Sequence, residues 1–246
     1  MSRACTVLND VVMIAAHSAR SQAYLQTLLA NDLAPAHVLL LGEANAPAAE
    51  PAPPAELLHG VLLPDLNVSL ETSLAAAGIA FSQLDTRDIN AAAVREQVQA
   101  LQPKVIIFSG YGGQLVGAEL IDLGIPLLHV HSGWLPDYRG STTAYYSLLE
   151  EGRCAASALI LDKQIDTGPV LARKHYPAPP MGTDIDRRYD TAIRADLLLQ
   201  VLRAYQATGE LAIEMQQEVE HGNTYYVIHP VLKHLALLSL PAAEQP

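Results

Sequence analysis

Apolar and polar positions fall in blocks along this chain, and the blocks switch repeatedly between unbroken runs and helical spacing. Val11–Ala16 is a continuous apolar run that reads as a buried strand. The polar pair His17–Ser18 follows, and Ala19–Asn31 then places Ala23, Leu25, Leu28 and Leu29 at helical intervals. His37–Leu41 is a second strand-like run. Strand, helix and strand within about thirty residues make a βαβ unit, which implies a parallel sheet with a right-handed crossover. The alternation continues with a helix at Ser69–Ala77, a strand at Ile79–Leu84, a helix at Ile89–Leu101 and a fully buried strand at Lys104–Ser109. A helix at Gln114–Leu123, a strand at Pro126–Val130, a helix at Ser141–Glu151 and strands at Ala156–Leu161 and Val170–Tyr176 come next. The last long helix starts within Gly182–Asp186, where Thr183 and Asp186 are spaced as a capping box, and its apolar spacing runs to about Ala207. Two stretches lack a period: Gly42–Ala55, rich in Ala, Pro and Glu, reads as an exposed loop, and Leu57–Asn67 fits neither pattern. The whole predicts one α/β domain.

Charge narrows the partners. The 246 residues carry a formal net charge of -11 with no run of Lys or Arg, so no basic footprint for nucleic acid or acidic lipid is present. Half the residues are hydrophobic and 17% charged, which excludes a disordered chain. No apolar run approaches the roughly 18–20 residues that span a bilayer, and Arg3 and Asp10 before a short apolar run make a poor signal peptide. Cys5 and Cys154 form no CxxC pair, so neither a disulfide framework nor a thiolate zinc site is indicated, and a reducing cytoplasm is expected.

Several motifs fail. Ser109–Gly117 (SGYGGQLVG) is glycine-rich between a strand and a helix, yet Leu115 stands where a dinucleotide fingerprint needs its third Gly. There is no GxxxxGK[ST], GxSxG or HExxH. Asp184, Asp186 and Asp190 lack the Gly and distal Glu of a calcium loop, so helix capping and a solvated face account for them better.

The informative stretch is Leu128–Gly140, LHVHSGWLPDYRG. His129 and His131 are two apart on a predicted strand, hence on one face at its carboxyl end, where open parallel sheets place their sites. Against that stands the plain alternative of one core histidine and one surface histidine. Asp166, about 35 positions further on in QIDTGPV, is by itself a turn residue of the kind Gly168 and Pro169 favour.

Read together, HVHSGWLPDYRG and IDTGPV resemble the signature of the folate-dependent formyltransferases, which include the glycinamide ribonucleotide, methionyl-tRNA and sugar-nucleotide enzymes. The resemblance runs from about Lys104 to the last long helix. It implies a Rossmann-like open, mostly parallel sheet with helices on both faces, forming a catalytic domain over residues 1–208, and transfer of a formyl group from 10-formyltetrahydrofolate to an amine. By motif position His131 and Asp166 correspond to the family's catalytic His and Asp, and His129 stands where the family has a catalytic Asn. That Asn donates to the formyl oxygen as charge builds there; imidazole does the same when the facing nitrogen carries a proton. Loss of a proton by the amine and its return to the folate nitrogen suit an acid–base group such as His131, oriented by Asp166. Tyr111, Gly112, Gly113, Trp134, Leu135, Ile165 and Thr167 are expected to contact the cofactor, and Gly110, Ser132, Gly133 and Arg139 the acceptor, although local pairing accounts for Arg139 equally well.

The stretch from Gly209 is too short for the extra C-terminal barrel of the tRNA-specific members, and with the negative charge this points to a small-molecule amine acceptor. Within the extension 209–246, His221–Leu238 is apolar and aromatic, and packing over the core or a homodimer contact is expected of it. Three rivals stay open: a hydrolase that gives the formyl group to water; a metal-dependent hydrolase using His129, His131 and Asp166 as ligands, where the formyltransferase reading expects no metal; and a folate-binding homologue without turnover.

Overall fold

The computed structural model describes residues 5–44, 51–218 and 221–242. The chain runs β1 (Thr6–Ala16), α1 (Ala19–Ala30), β2 (Leu33–Leu41), β3 (Glu56–Leu58), β4 (Val61–Leu63), α2 (Leu70–Ala77), β5 (Ala80–Leu84), α3 (Ala92–Leu101) and β6 (Val105–Ser109). It continues with α4 (Ala118–Ile121), β7 (Leu127–His131), β8 (Tyr138–Gly140), α5 (Thr143–Glu151), β9 (Arg153–Ile160) and β10 (Val170–Pro177). A π-helical turn, Ile185–Tyr189, opens α6 (Asp190–Thr208), and β11 (Asn223–Tyr225) and α7 (Pro230–Leu238) follow. Seven strands form one open sheet in the order β10-β9-β7-β6-β1-β2-β5. β1 pairs in parallel with β2 and β6, β2 with β5, and β6 with β7, while β10 is antiparallel to β9. This is the mostly parallel α/β architecture that the blocks of the sequence predict.

Contacts divide the chain into two compact units, one of Met1–Glu56 with Pro64–His129 and one of Leu57–Leu63 with Val130–Pro246. In the first, the Val11–Ala16 run is buried throughout, as a strand covered on both faces must be. β1 is longer than its apolar run because Thr6–Leu8 also pairs with β2, across a register shift between Leu8 and Val12, and polar Asn9 and Asp10 interrupt the run there. Ser18 caps α1, its hydroxyl accepting from the Ser21 amide at 3.3 Å, and the helix buries Ala23, Tyr24, Leu25 and Leu28. The helix expected over Gln114–Leu123 is only Ala118–Ile121, since Gly112, Gly113 and Gly117 hold the segment before it in turns and extended backbone.

In the second unit the β3–β4 pair occupies the part of Leu57–Asn67 that had no period; strands of three residues are too short to show one. β4 packs on α6, and the His59 ring meets Tyr189 edge-on at 6.1 Å between centroids. The cap of the last long helix is Asp184, whose Oδ1 accepts from the Arg187 amide at 2.9 Å, whereas the Thr183 hydroxyl donates to the Pro180 carbonyl at 2.8 Å. β11 pairs in parallel with β8, and α7 begins at Pro230 behind a His229 cap. Residues 42–44 and 51–55 of the Gly42–Ala55 loop are irregular, and residues 45–50 lie outside the described residues. Among the described residues no helix is long and apolar enough to cross a membrane.

Two histidines tie stability to pH. His37 and His175 are both held below the usual imidazole value of 6.5, chiefly by burial, with Arg153 adding to the effect at His175. Between that lowered value and 6.5 the unfolded chain binds protons that the folded chain refuses, so stability falls as pH drops through this window and is unaffected by these groups above it. His175 stacks on Trp134 with centroids 4.0 Å apart, and His175→Phe keeps the stack without the titration. Thermal melts across pH 8 to 5 are expected to show a shallower loss of Tm in the variant than in the wild type; parallel curves would remove His175 from the account.

Candidate functional site

The carboxyl end of β7 brings His131 into the interior, where it is 5% exposed. Its Nδ1 lies 3.4 Å from Oδ2 of Asp166, itself buried, and its Nε2 lies 2.6 Å from the Tyr138 carbonyl. Both ring nitrogens thus face oxygen acceptors. A neutral imidazole has one N–H and satisfies one of them; the imidazolium satisfies both. Asp166 Oδ2 also accepts from the Gly140 amide at 2.9 Å. The short strand β8 therefore supports both members of the pair through its backbone, with the Tyr138 carbonyl on the histidine and the Gly140 N–H on the carboxylate.

Several positions in this region are glycine for packing reasons. A Cβ on Gly133 would sit 2.9 Å from the Tyr138 oxygen and 3.1 Å from His131 Nε2, so the missing side chain clears room for that hydrogen bond. Gly168 lies against the Ile160 carbonyl, which a Cβ would meet at 1.9 Å. Asp166 adopts φ +55°, a left-handed conformation costly for a residue other than glycine, and its turn is tied down by neighbours. The Thr167 hydroxyl donates to Asp162 Oδ1 at 2.8 Å, and the Gln217 amide donates to the carbonyls of Asp166 at 3.0 Å and Gly168 at 2.7 Å.

A second set of side chains fixes the strand end. The Ser132 hydroxyl donates to Asp190, Asp190 pairs with Arg194 at 3.3 Å, and Arg194 Nε donates to the Val130 carbonyl at 2.7 Å. The Thr143 hydroxyl donates to the Ser132 carbonyl. Ser132 is thereby turned to Asp190 and Thr143, while Gly133 stands against His131. Leu135 is fully buried and belongs to an apolar cluster with Leu159, Val170 and Met215. Trp134 lies flat on His175, with the Arg173 guanidinium 4.5 Å from its ring. Arg139 is buried and donates to Gln217 Oε1 at 3.0 Å and the Glu218 carbonyl at 3.1 Å, the local pairing that the sequence left open. Thr167 is buried, and Ile165, just before Asp166, is 51% exposed.

His129 and the glycine-rich loop belong to the first unit. The His129 ring is half-buried and tilted against Phe108 with centroids 5.8 Å apart. Gly110 backs onto that same Phe108, whose ring a Cβ would meet at 2.7 Å, and the Gly110 carbonyl accepts from Arg20. Tyr111 donates to the Leu41 carbonyl at 2.8 Å and carries the Arg87 guanidinium 4.1 Å from its ring. Gly112 and Gly113 face open space, and Gly113 turns the chain at φ +80°. Burial pushes the Cys154 thiol up to about 12, which leaves it inert as a nucleophile. Among the described residues no group of three or more His, Cys, Asp or Glu side chains is placed to hold a metal ion.

Sequence reasoning missed the Tyr138 carbonyl, the Gly140 amide, Asp190, Arg194 and Gln217 as supports. Backbone groups have no signature in a sequence. Arg194 did have one, since it is a cation among the apolar positions of α6, four residues after an aspartate.

A family profile described as formyl transferase matches residues 59–196. The methionyl-tRNA formyltransferase of Chloroflexus aurantiacus is 37% identical over 122 residues, 48% of this chain and 38% of that protein. That of Trichlorobacter lovleyi is 30% identical over 129 residues, 51% of this chain and 40% of that protein. The matches span about two-fifths of these relatives' length. In fold, the chain is similar to a sugar N-formyltransferase from Shewanella sp FDAARGOS_354, with TM-score 0.57, 15% identity and coverage of 93% of this chain and 87% of that one. It is similar also to a phosphoribosylglycinamide formyltransferase from Bacillus halodurans, with TM-score 0.56, 15% identity and coverage of 85% and 100%.

Proposed function

Because this chain belongs to the formyl transferase family, we propose that it moves a formyl group from 10-formyltetrahydrofolate to the amine of a small molecule. The observation that carries this reading is the buried His131–Asp166 pair at the end of β7, with both members held by β8. Ile165, half-exposed beside the buried Asp166, fits a ligand that lays an apolar ring next to a reacting polar centre. When bound, the folate supplies the formyl carbon. With Asp166 on Nδ1, Nε2 of His131 exchanges the Tyr138 carbonyl for the substrate, gives its proton to the leaving nitrogen, and the ring so discharged takes up the proton lost by the amine. His129 donates to the formyl oxygen, an interaction typically worth roughly 2.7–4 kcal/mol in the transition state. The net charge of -11 favours a small acceptor over a polyanionic one.

Incubation of the purified protein with 10-formyltetrahydrofolate and a panel of amines, read by mass spectrometry, is expected to yield one N-formyl product and stoichiometric tetrahydrofolate. Formate released without any amine would identify a hydrolase instead. With the productive amine in hand, H129N should keep activity within about tenfold of wild type, because an amide donates to the same oxygen, while H131A should lose at least about a hundredfold. The reverse order of effects would overturn the roles given to the two histidines.

A further inference from the structure

The network around Asp166 includes a side chain that is remote in sequence from both motif segments. Gln217 lies beyond α6, in the stretch that leads to β11, and is half-buried while its neighbours Gln216 and Glu218 are exposed. Its amide nitrogen donates to two carbonyls of the Asp166 turn, and its amide oxygen accepts from the buried Arg139 of β8. This one amide joins two segments: the turn that presents the carboxylate, through its carbonyls, and, through the Arg139 guanidinium, the strand whose Tyr138 carbonyl and Gly140 N–H contact His131 and Asp166. The segment bearing Gln217 is itself anchored, since Val170 and Met215 form an antiparallel bridge with N···O distances of 2.9 and 3.1 Å.

An Asp at φ +55° sits in the left-handed region, at a cost that contacts from its surroundings offset. The two hydrogen bonds to the carbonyls of Asp166 and Gly168 are such contacts. We infer that Gln217 is a positioning residue for the His131–Asp166 pair: it locks the Asp166 turn to β8 so that the carboxylate stays on the imidazole. This rests on the reading of that pair as the formyl-transfer machinery, and it assigns to an otherwise undistinguished glutamine the control of the pair's geometry.

Three variants test it. Gln217→Ala removes all three hydrogen bonds. Gln217→Glu keeps the acceptor for Arg139 but has no donor for the two carbonyls. Gln216→Ala is a control at the exposed neighbour. Two readouts are taken on each with the full chain: kcat and KM for formyl transfer, and hydrogen exchange of the Gly140 amide, which reports its bond to Asp166 independently of activity. Misplacement of a catalytic group by about an ångström costs about a hundredfold in rate. Both Gln217 variants are therefore expected to lose at least about tenfold in kcat with KM for the amine within about threefold, and to exchange Gly140 at least about tenfold faster, while Gln216→Ala matches wild type. Restoration of kcat and protection in Gln217→Glu would show that Gln217 matters only as a partner for Arg139 and would overturn the inference. So would an unchanged kcat, or a lowered kcat with Gly140 still protected. If the wild type transfers no formyl group but Gly140 still loses protection in both variants, the positioning role stands and the proposed reaction fails.

Discussion

Asp166→Asn is expected to lower kcat for formyl transfer by about 10²–10⁴-fold, the range that positioned acid–base groups contribute. The substitution is isosteric and the turn is held by its own backbone contacts and by Gln217, so the fold has little reason to change. What changes is the charge facing His131. Oδ2 of the carboxylate lies 3.4 Å from Nδ1 and accepts from Gly140 at 2.9 Å; an asparagine oxygen in its place can face both groups, but it is neutral. With the Tyr138 carbonyl already on Nε2, a His131 ring that carries both protons then has no counter-charge in a buried setting, where an uncompensated charge is most costly. Steady-state kinetics beside a thermal melt check this. A variant with wild-type kcat and an unchanged Tm would take Asp166 out of the chemistry altogether.

Gly140→Ala is expected to destabilise the protein by about 3 kcal/mol or more and to abolish activity, because two independent requirements meet at that position. Gly140 has φ +100°, outside the conformations open to alanine at low cost. Its absent Cβ would also stand 2.1 Å from the Tyr225 carbonyl, a backbone atom of the paired strand β11 that cannot step aside alone. Relief means parting β8 from β11, and with it loosening the N–H on Asp166. Gly112→Ala is the matched control: nothing lies within 4 Å of its Cβ position and its backbone is not left-handed, so urea denaturation should find it close to wild type. Equal midpoints for the two alanines would mean that β8 and β11 are not joined as described.

The parts of the fold that were legible are those with a repeat long enough to register. Val11–Ala16, Lys104–Ser109 and the spacing in Ala19–Asn31 announce a parallel sheet because burial on both faces produces runs, and burial on one face of a helix produces intervals. β8, β11 and the β3–β4 pair span three residues each and have no room for a period. α7 was hidden for another reason: of its residues only Ala236 is buried, while Val231, Leu232, Leu235 and Leu238 are exposed, so its apolar content does not trace a buried stripe. His131 and Asp166 were legible through their motif spacing, and the structure places them side by side. The groups that hold them were illegible, because a carbonyl at Tyr138 or an N–H at Gly140 belongs to the main chain and is the same whatever the residue. The place of Trp134 near the strand end predicts a ring for the cofactor; in the structure the ring meets His175 and Arg173.

The pairing of β8 with β11 also sets an order of events in the making of this protein. Residues 138–140 leave the ribosome long before residues 223–225, and Gln217 comes late as well. His131, the β8 groups that contact it and Asp166 are therefore all synthesised before Gln217 and β11, which hold the Asp166 turn and pair with β8. The residues of the pair come first along the chain and two of their supports come last, within the final fifth of the sequence.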